Sequence, residues 1–220
     1  IHFGGLKIFT TLDSNMQKEA HSAATHHIKF LESRMVKEEG QEGLEAAVVT
    51  VDNQSGAIRV LLGGIDYSRS QFNRAVSSNR LPGSSFKPFV YMSAFENLGY
   101  HPGTLLVDEP ISLEIPGTSA WEPNNFNDKY RGPVILKESL AKSLNVISAK
   151  LIYELSPKKV IKTARKFGIN SPLNNNYSLA LGSSGVSALE LASAYSVIAN
   201  LGNYKEPFMA DMDLFDVMYH

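Results

Sequence analysis

The sequence predicts an α+β fold, on three observations. One stretch alternates with a period of two and turns back on itself, and a longer C-terminal stretch carries apolar residues at helical spacing between prolines and glycines. With 220 residues and 43% apolar side chains, the chain has material for a real core. The 21 basic and 22 acidic side chains cancel to a formal charge of -1, which offers no electrostatic grip on nucleic acid, so no nucleic-acid partner is expected. Zero cysteines exclude disulfide scaffolds, thiol nucleophiles and cysteine-ligated zinc. No charged-then-apolar leader and no apolar run of spanning length is present, and a chain that opens on Ile1 is treated as a fragment.

The elements follow in order. Lys7–Leu12 is β-branched and aromatic and reads as a strand. Asp13 or Ser14 then caps a helix carrying Met16, Ala20, Ala23, Ala24, Ile28, Leu31 and Met35. His21, His26 and His27 lie in it without carboxylates at ligand spacing, so a solvated helix face is preferred to a zinc site and no metal is expected. After a charged break over Glu39–Gly43, Ala46–Asp52, the turn Asn53–Gly56 and Ala57–Gly64 make a hairpin. Leu81-Pro82-Gly83 leads into an apolar helix that Gly99 is placed to end. The proline-rich stretch to Asn127 reads as loops with a short strand or two. From Pro133 the pattern is helical, with Pro133 and Pro157 as first-turn prolines and Gly168 and Gly202 as terminators. A two-stranded ribbon is marginal alone, so later strands of the sheet are expected to be missing from this chain.

Ser84 and Lys87 carry the first chemical signal. Residues three apart on a helix share a face, so the amine can reach the hydroxyl; the helix start favours a developing oxyanion and disfavours a protonated amine. Gly83 leaves room for a substrate carbonyl. The spacing alone is weak, since Ser139 with Lys142 and Ser156 with Lys159 repeat it. Ser156 suits a helix N-cap, and Ser139 lies inside a helical pattern without free N–H donors. Ser84 alone combines a Pro-Gly turn, a helix start and an apolar wall. Ser143 and Asn145 add a hydroxyl and an amide able to relay a proton and hold a substrate amide, although Ser143 also suits the cap of a helix beginning at Val146. Trp121, Phe126 and Tyr130 suit either a substrate platform or packing of a proline-rich loop.

On these residues the chain resembles the transpeptidase domain of class A, bifunctional penicillin-binding proteins. Four ordered segments carry the resemblance: GLKIFTTLD (Gly5–Asp13), RLPGSSFKPFVY (Arg80–Tyr91), the Trp121–Leu151 run, and SLALGSSGVSALELASAYSVIANLG (Ser178–Gly202). It implies a penicillin-binding-protein/β-lactamase-like fold and a D,D-transpeptidase that cross-links peptidoglycan stem peptides ending in D-Ala-D-Ala, with β-lactam antibiotics as inhibitors. Ser84 is then the acylated nucleophile, Lys87 its base, Ser143 the relay to the leaving group and Asn145 the amide that steadies Lys87. Gly83 and Trp121 fall at the substrate. The resemblance implies no cofactor, an extracytoplasmic site of action, and a membrane-anchored parent with an upstream glycosyltransferase domain.

No K-[ST]-G occurs; Lys162-Thr163-Ala164 comes nearest, within a helical pattern. The expected organisation is therefore a linker and domain start over 1–45, a partial transpeptidase domain over 46–207 and an atypical tail over 208–220. The departure leaves two further readings: a hydrolytic relative, such as a D,D-carboxypeptidase or β-lactamase, and a non-catalytic module that binds wall peptides or a partner.

Overall fold

The computed structural model describes residues 8–36, 43–117 and 119–210. In chain order the elements are α1 (Ser14–Glu32), β1 (Val48–Val51), β2 (Ile58–Leu62), α2 (Lys87–Leu98), β3 (Leu105–Asp108), β4 (Gly132–Ile135), α3 (Leu136–Ala141), α4 (Asn145–Leu155), α5 (Pro157–Lys166) and α6 (Ala188–Ala199). They divide between two compact units. The residues up to Asn79 and those from Ser187 onward form one, and Arg80–Val186 forms the other.

In the first unit the expected hairpin is antiparallel, pairing Val48 with Leu62 and Thr50 with Val60, with a register shift between Thr50 and Val51. Alternation decides its burial: Ile58, Val60 and Leu62 are buried, Arg59 and Leu61 half-exposed. The Asp13 side chain caps α1 by accepting from the Asn15 and Met16 amides. Gln17 ties α1 to the edge of β2, accepting from Leu61 N at 2.9 Å and donating to Leu61 O at 3.1 Å. His21 lies 2.9 Å from the Ile65 carbonyl, and His27 stacks on Phe30. Ser187 and Glu190 form a capping box at the start of α6.

The opening strand expected over Lys7–Leu12 is reduced, among its described residues, to one bridge between Thr10 and Ala210. Thr11 spends its hydroxyl on the Ile58 carbonyl instead of extending a ladder. Phe208 bridges Ala57 in parallel. Of the tail, residues 211–220 lie outside the described residues, as do 39–42 of the expected break.

The second unit is a helical core. Phe86, Phe89, Val90, Ile147, Leu151, Ile152, Val160 and Leu179 are fully buried where α2, α4, α5 and a 3-10 turn over Tyr177–Leu181 meet. The Phe89 ring packs edge-on to Phe86 and Phe167, with centroids 5.3 and 5.5 Å away. Gly99 at φ 68 ends α2 as expected.

One expectation is corrected here and a second holds in part. Pro133 does not open a helix: Gly132–Ile135 is strand β4, paired antiparallel to β3 with Pro133 opposite Val107. A two-stranded sheet is all edge, where a residue without an N–H is tolerated, and α3 starts only at Leu136. Ser156 stands at the N-cap position of α5, as expected, but without a capping bond from its side chain; at φ 78 it also closes α4, with its own N–H on the Ile152 carbonyl. Pro157 does occupy the first turn of α5. Among the described residues no helix is long and apolar enough to cross a membrane.

Candidate active site

Arg80 and Val186 exchange both backbone hydrogen bonds, at 3.1 and 3.0 Å, so the chain before Ser84 lies against the Gly182–Val186 segment. Gly83–Phe86 then winds into a 3-10 turn that runs directly into α2. Ser84 is exposed in that first turn, where its N–H has no helical acceptor, while Phe86 and Lys87 are drawn into the core. Gly83, at φ 54, has open space where a Cβ would stand. Gly182 has none: a Cβ there would lie 2.1 Å from the Gly83 carbonyl oxygen. The two glycines let these segments touch.

Lys87 is 1% exposed, yet its Nζ reaches three acceptors. It donates to Ser143 O at 2.6 Å, Ser143 Oγ at 3.0 Å and Asn145 Oδ1 at 2.7 Å. All three are formally neutral. Burial without a carboxylate partner pushes the Lys87 pKa down to about 8. At neutral pH a useful fraction of the amine is then unprotonated, as a base requires.

Ser143 owes its position to the end of α3. Ser143 N bonds Leu140 O at 2.9 Å and Leu144 N bonds Ser139 O at 2.9 Å, the paired bonds of a Schellman motif. Its αL position, which favours glycine, is held by Ser143 at φ 54. A serine that pays about 1–2 kcal/mol of backbone strain points to a use for its hydroxyl. Ser143 is not the cap of α4, because that helix begins at Asn145.

The helix has its cap in trans. Asn125, buried, accepts on Oδ1 from Asn145 N at 2.9 Å and Val146 N at 3.3 Å. Its Nδ2 donates to both carboxylate oxygens of the fully buried Asp108, at 2.9 and 3.0 Å, and to Lys129 O at 3.0 Å. Its neighbour Asn124 accepts on its backbone carbonyl from Asn145 Nδ2 at 2.9 Å. An amide that donates from Nδ2 to Asn124 must present Oδ1 elsewhere, and Oδ1 is the atom that meets Lys87.

Five residues singled out in the sequence therefore fall in one region: Gly83 and Ser84 in the first turn leading into α2, and Lys87, Ser143 and Asn145 in one hydrogen-bonded group. Trp121 does not join that group. It is half-buried and exchanges both backbone hydrogen bonds with Leu113, at 2.9 Å. Ser139 is buried, between Tyr91 OH and the Leu136 carbonyl. The sequence reading missed Asp108, Asn125 and Gly182; the Asn-Asn pair inside the Trp121–Leu151 run and the glycine of the fourth segment were the available signals.

Residues 46–214 match the family described as penicillin binding protein transpeptidase domain. Penicillin-binding protein 1A of Pseudomonas aeruginosa is 38% identical over 169 residues, 76% of this chain and 20% of that protein. Penicillin-binding protein 2D of Bacillus subtilis is 34% identical over 209 residues, 94% of this chain and 29% of that protein. The chain thus spans between a fifth and a third of the length of these curated relatives. Among solved structures, penicillin-binding protein 1A of Haemophilus influenzae superposes with a TM-score of 0.80 at 25% identity, covering 93% of this chain and 44% of that one. PonA1 of Mycobacterium tuberculosis, in complex with penicillin V, superposes with a TM-score of 0.76 at 28% identity, covering 94% and 55%.

Proposed function

The chain belongs to the family of penicillin-binding protein transpeptidase domains, and from that premise we propose that Ser84 is the acylated nucleophile of a D,D-transpeptidase acting on peptidoglycan stem peptides. The observation that carries the reading is the buried Lys87 amine held between Ser143 and Asn145 with its pKa lowered to about 8.

The chemistry follows from those contacts. Protonated, Lys87 Nζ has three hydrogens for three acceptors; unprotonated, it has two hydrogens and a lone pair. Of the three partners only the Ser143 hydroxyl carries a proton of its own, so it can turn from acceptor to donor. Ser84 Oγ attacks the carbonyl of the penultimate D-alanine, and its proton passes to Lys87. Ser143 gives its proton to the departing amine of the terminal D-alanine and recovers one from Lys87. The C–N bond breaks, a Ser84 ester forms, and the net proton movement is from Ser84 to the leaving nitrogen. The Ser84 N–H, free at the helix start, is placed to stabilise the oxyanion. An amine from a neighbouring stem peptide then takes the acyl group and restores Ser84. β-Lactams acylate the same oxygen, and the site of action is the outer face of the cell membrane, where stem peptides are joined.

Incubation with a labelled penicillin followed by peptide mass spectrometry tests this. An adduct on the peptide containing Ser84, lost in Ser84→Ala, is the expected result. An adduct on another serine, or none, overturns the assignment.

A further inference from the structure

Within Arg80–Val186 lies a cavity of about 420 Å³ that Ser143 itself helps to line and whose other walls the chemistry above leaves unused. Its charged lining has one sign: Lys129, Arg131 and Lys142, with no carboxylate among the lining residues. None of the three cations makes an ion pair among the described residues. In a chain of net charge -1, three unpaired cations around one hollow are a local excess that a bound anion would relieve. Phe126, fully exposed, and Tyr130 add apolar surface.

The backbone of the loop that carries two of the cations is fixed in advance. Asn125 Nδ2 holds the Lys129 carbonyl, Asp108 accepts from the Arg131 N–H at 3.0 Å, and the Tyr130 hydroxyl donates to Asn124 Oδ1 at 3.0 Å. Lys142 sits at the C-cap of α3, one residue before Ser143. The three cationic side chains are themselves exposed and are ordered only on meeting a ligand, so the pinned backbone spares the cost of arranging the loop and not that of the side chains.

We propose that this cavity holds a free carboxylate carried by the peptide substrate, with its aliphatic part against Phe126 and Tyr130. The assignment rests on the acyl-serine reading of Ser84. It makes the cavity a specificity subsite that selects acidic over amidated stem peptides.

The test compares two short peptides ending in D-Ala-D-Ala, identical except that an upstream side-chain carboxylate is free in one and an amide in the other. Binding to the protein is read by fluorescence anisotropy at fixed ionic strength. The acid should bind about tenfold more tightly, the size expected of two or three solvent-accessible charge contacts. The preference should fall to near unity in a triple variant, Lys129→Gln, Arg131→Gln and Lys142→Gln. Equal affinities in the unaltered protein overturn the proposal without recourse to any variant, and so does a triple variant that keeps the preference. Labelled penicillin on the same samples separates the two ideas: a Ser84 adduct with no acid preference removes only the subsite, whereas no adduct removes the acyl-serine reading on which it rests.

Discussion

Replacing Asn145 by aspartate probes the base most directly. With a pKa of about 8, roughly one Lys87 in ten is unprotonated at pH 7. At the unperturbed value of 10.5 the fraction would be about 300-fold smaller, so burial alone contributes some two and a half powers of ten to the available base. The second-order rate of Ser84 acylation should rise about tenfold per pH unit below pH 8 and level off above it. In Asn145→Asp a carboxylate oxygen takes the place of Oδ1, 2.7 Å from Nζ. An opposite charge at that range favours the ammonium and raises its pKa by about 1–3 units. The midpoint should move up by that amount, and the rate at pH 7 should fall about 10- to 1000-fold while the alkaline plateau is largely kept. Labelled-penicillin kinetics between pH 6 and 10 would read the fall at pH 7 and the upward move of the midpoint, the variant's rate still climbing where the unaltered protein has levelled off. A merely damaged site would lower the plateau without moving the midpoint. A wild-type profile that is flat through this range, or a variant slowed equally at every pH, would refute the role given to Lys87.

Three further outcomes follow from the same geometry. Ser143→Gly relieves the αL strain but removes one acceptor of the buried Lys87 amine, so the two effects should offset to within about 1 kcal/mol in urea denaturation while acylation is suppressed; a loss above about 3 kcal/mol would contradict the strain argument. Asn125→Ala leaves Asp108 and two first-turn amides of α4 without their partner, and should cost about 3 kcal/mol by the same measurement; a loss under 1 kcal/mol would mean that water replaces the side chain readily. Gly182→Ala forces Gly83 away and adopts an unfavourable φ of 72°, so acylation should fall about 100-fold or more, together with some 3 kcal/mol of stability; normal acylation would show that Ser84 does not depend on this contact.

What the sequence disclosed and what it withheld divide along the range of the interactions. The hairpin was legible because alternation is local, and α2 because Gly99 supplies its own stop. Pro133-Val134-Ile135 read as helix because it runs into α3 without a break. Only pairing with Leu105–Val107, across a long proline-rich loop, makes it a strand. The site follows the same rule. Three S-x-x-K spacings look alike in the sequence, but Lys142 and Lys159 are exposed and only Lys87 is buried. That difference comes from packing, not from spacing. Asn125 meets Asp108 seventeen residues away, and Gly182 meets Gly83 from the far end of the second unit, so no periodicity could report either.

The long-range contacts also account for why the local motif needs its surroundings. A lysine three residues after a serine is an ordinary cation unless it is taken out of water. Once buried, it is a base only if nothing negative stands beside it. Nothing negative meets Nζ: two of its acceptors belong to Ser143 and the third to Asn145, and all three are neutral. The Asn124 carbonyl fixes Asn145 so that a neutral oxygen faces Nζ. The end of α3, through Ser143, and the loop between β3 and β4, through Asn145, thus give Lys87 acceptors that are polar but uncharged, and that is the condition under which burial lowers its pKa to about 8.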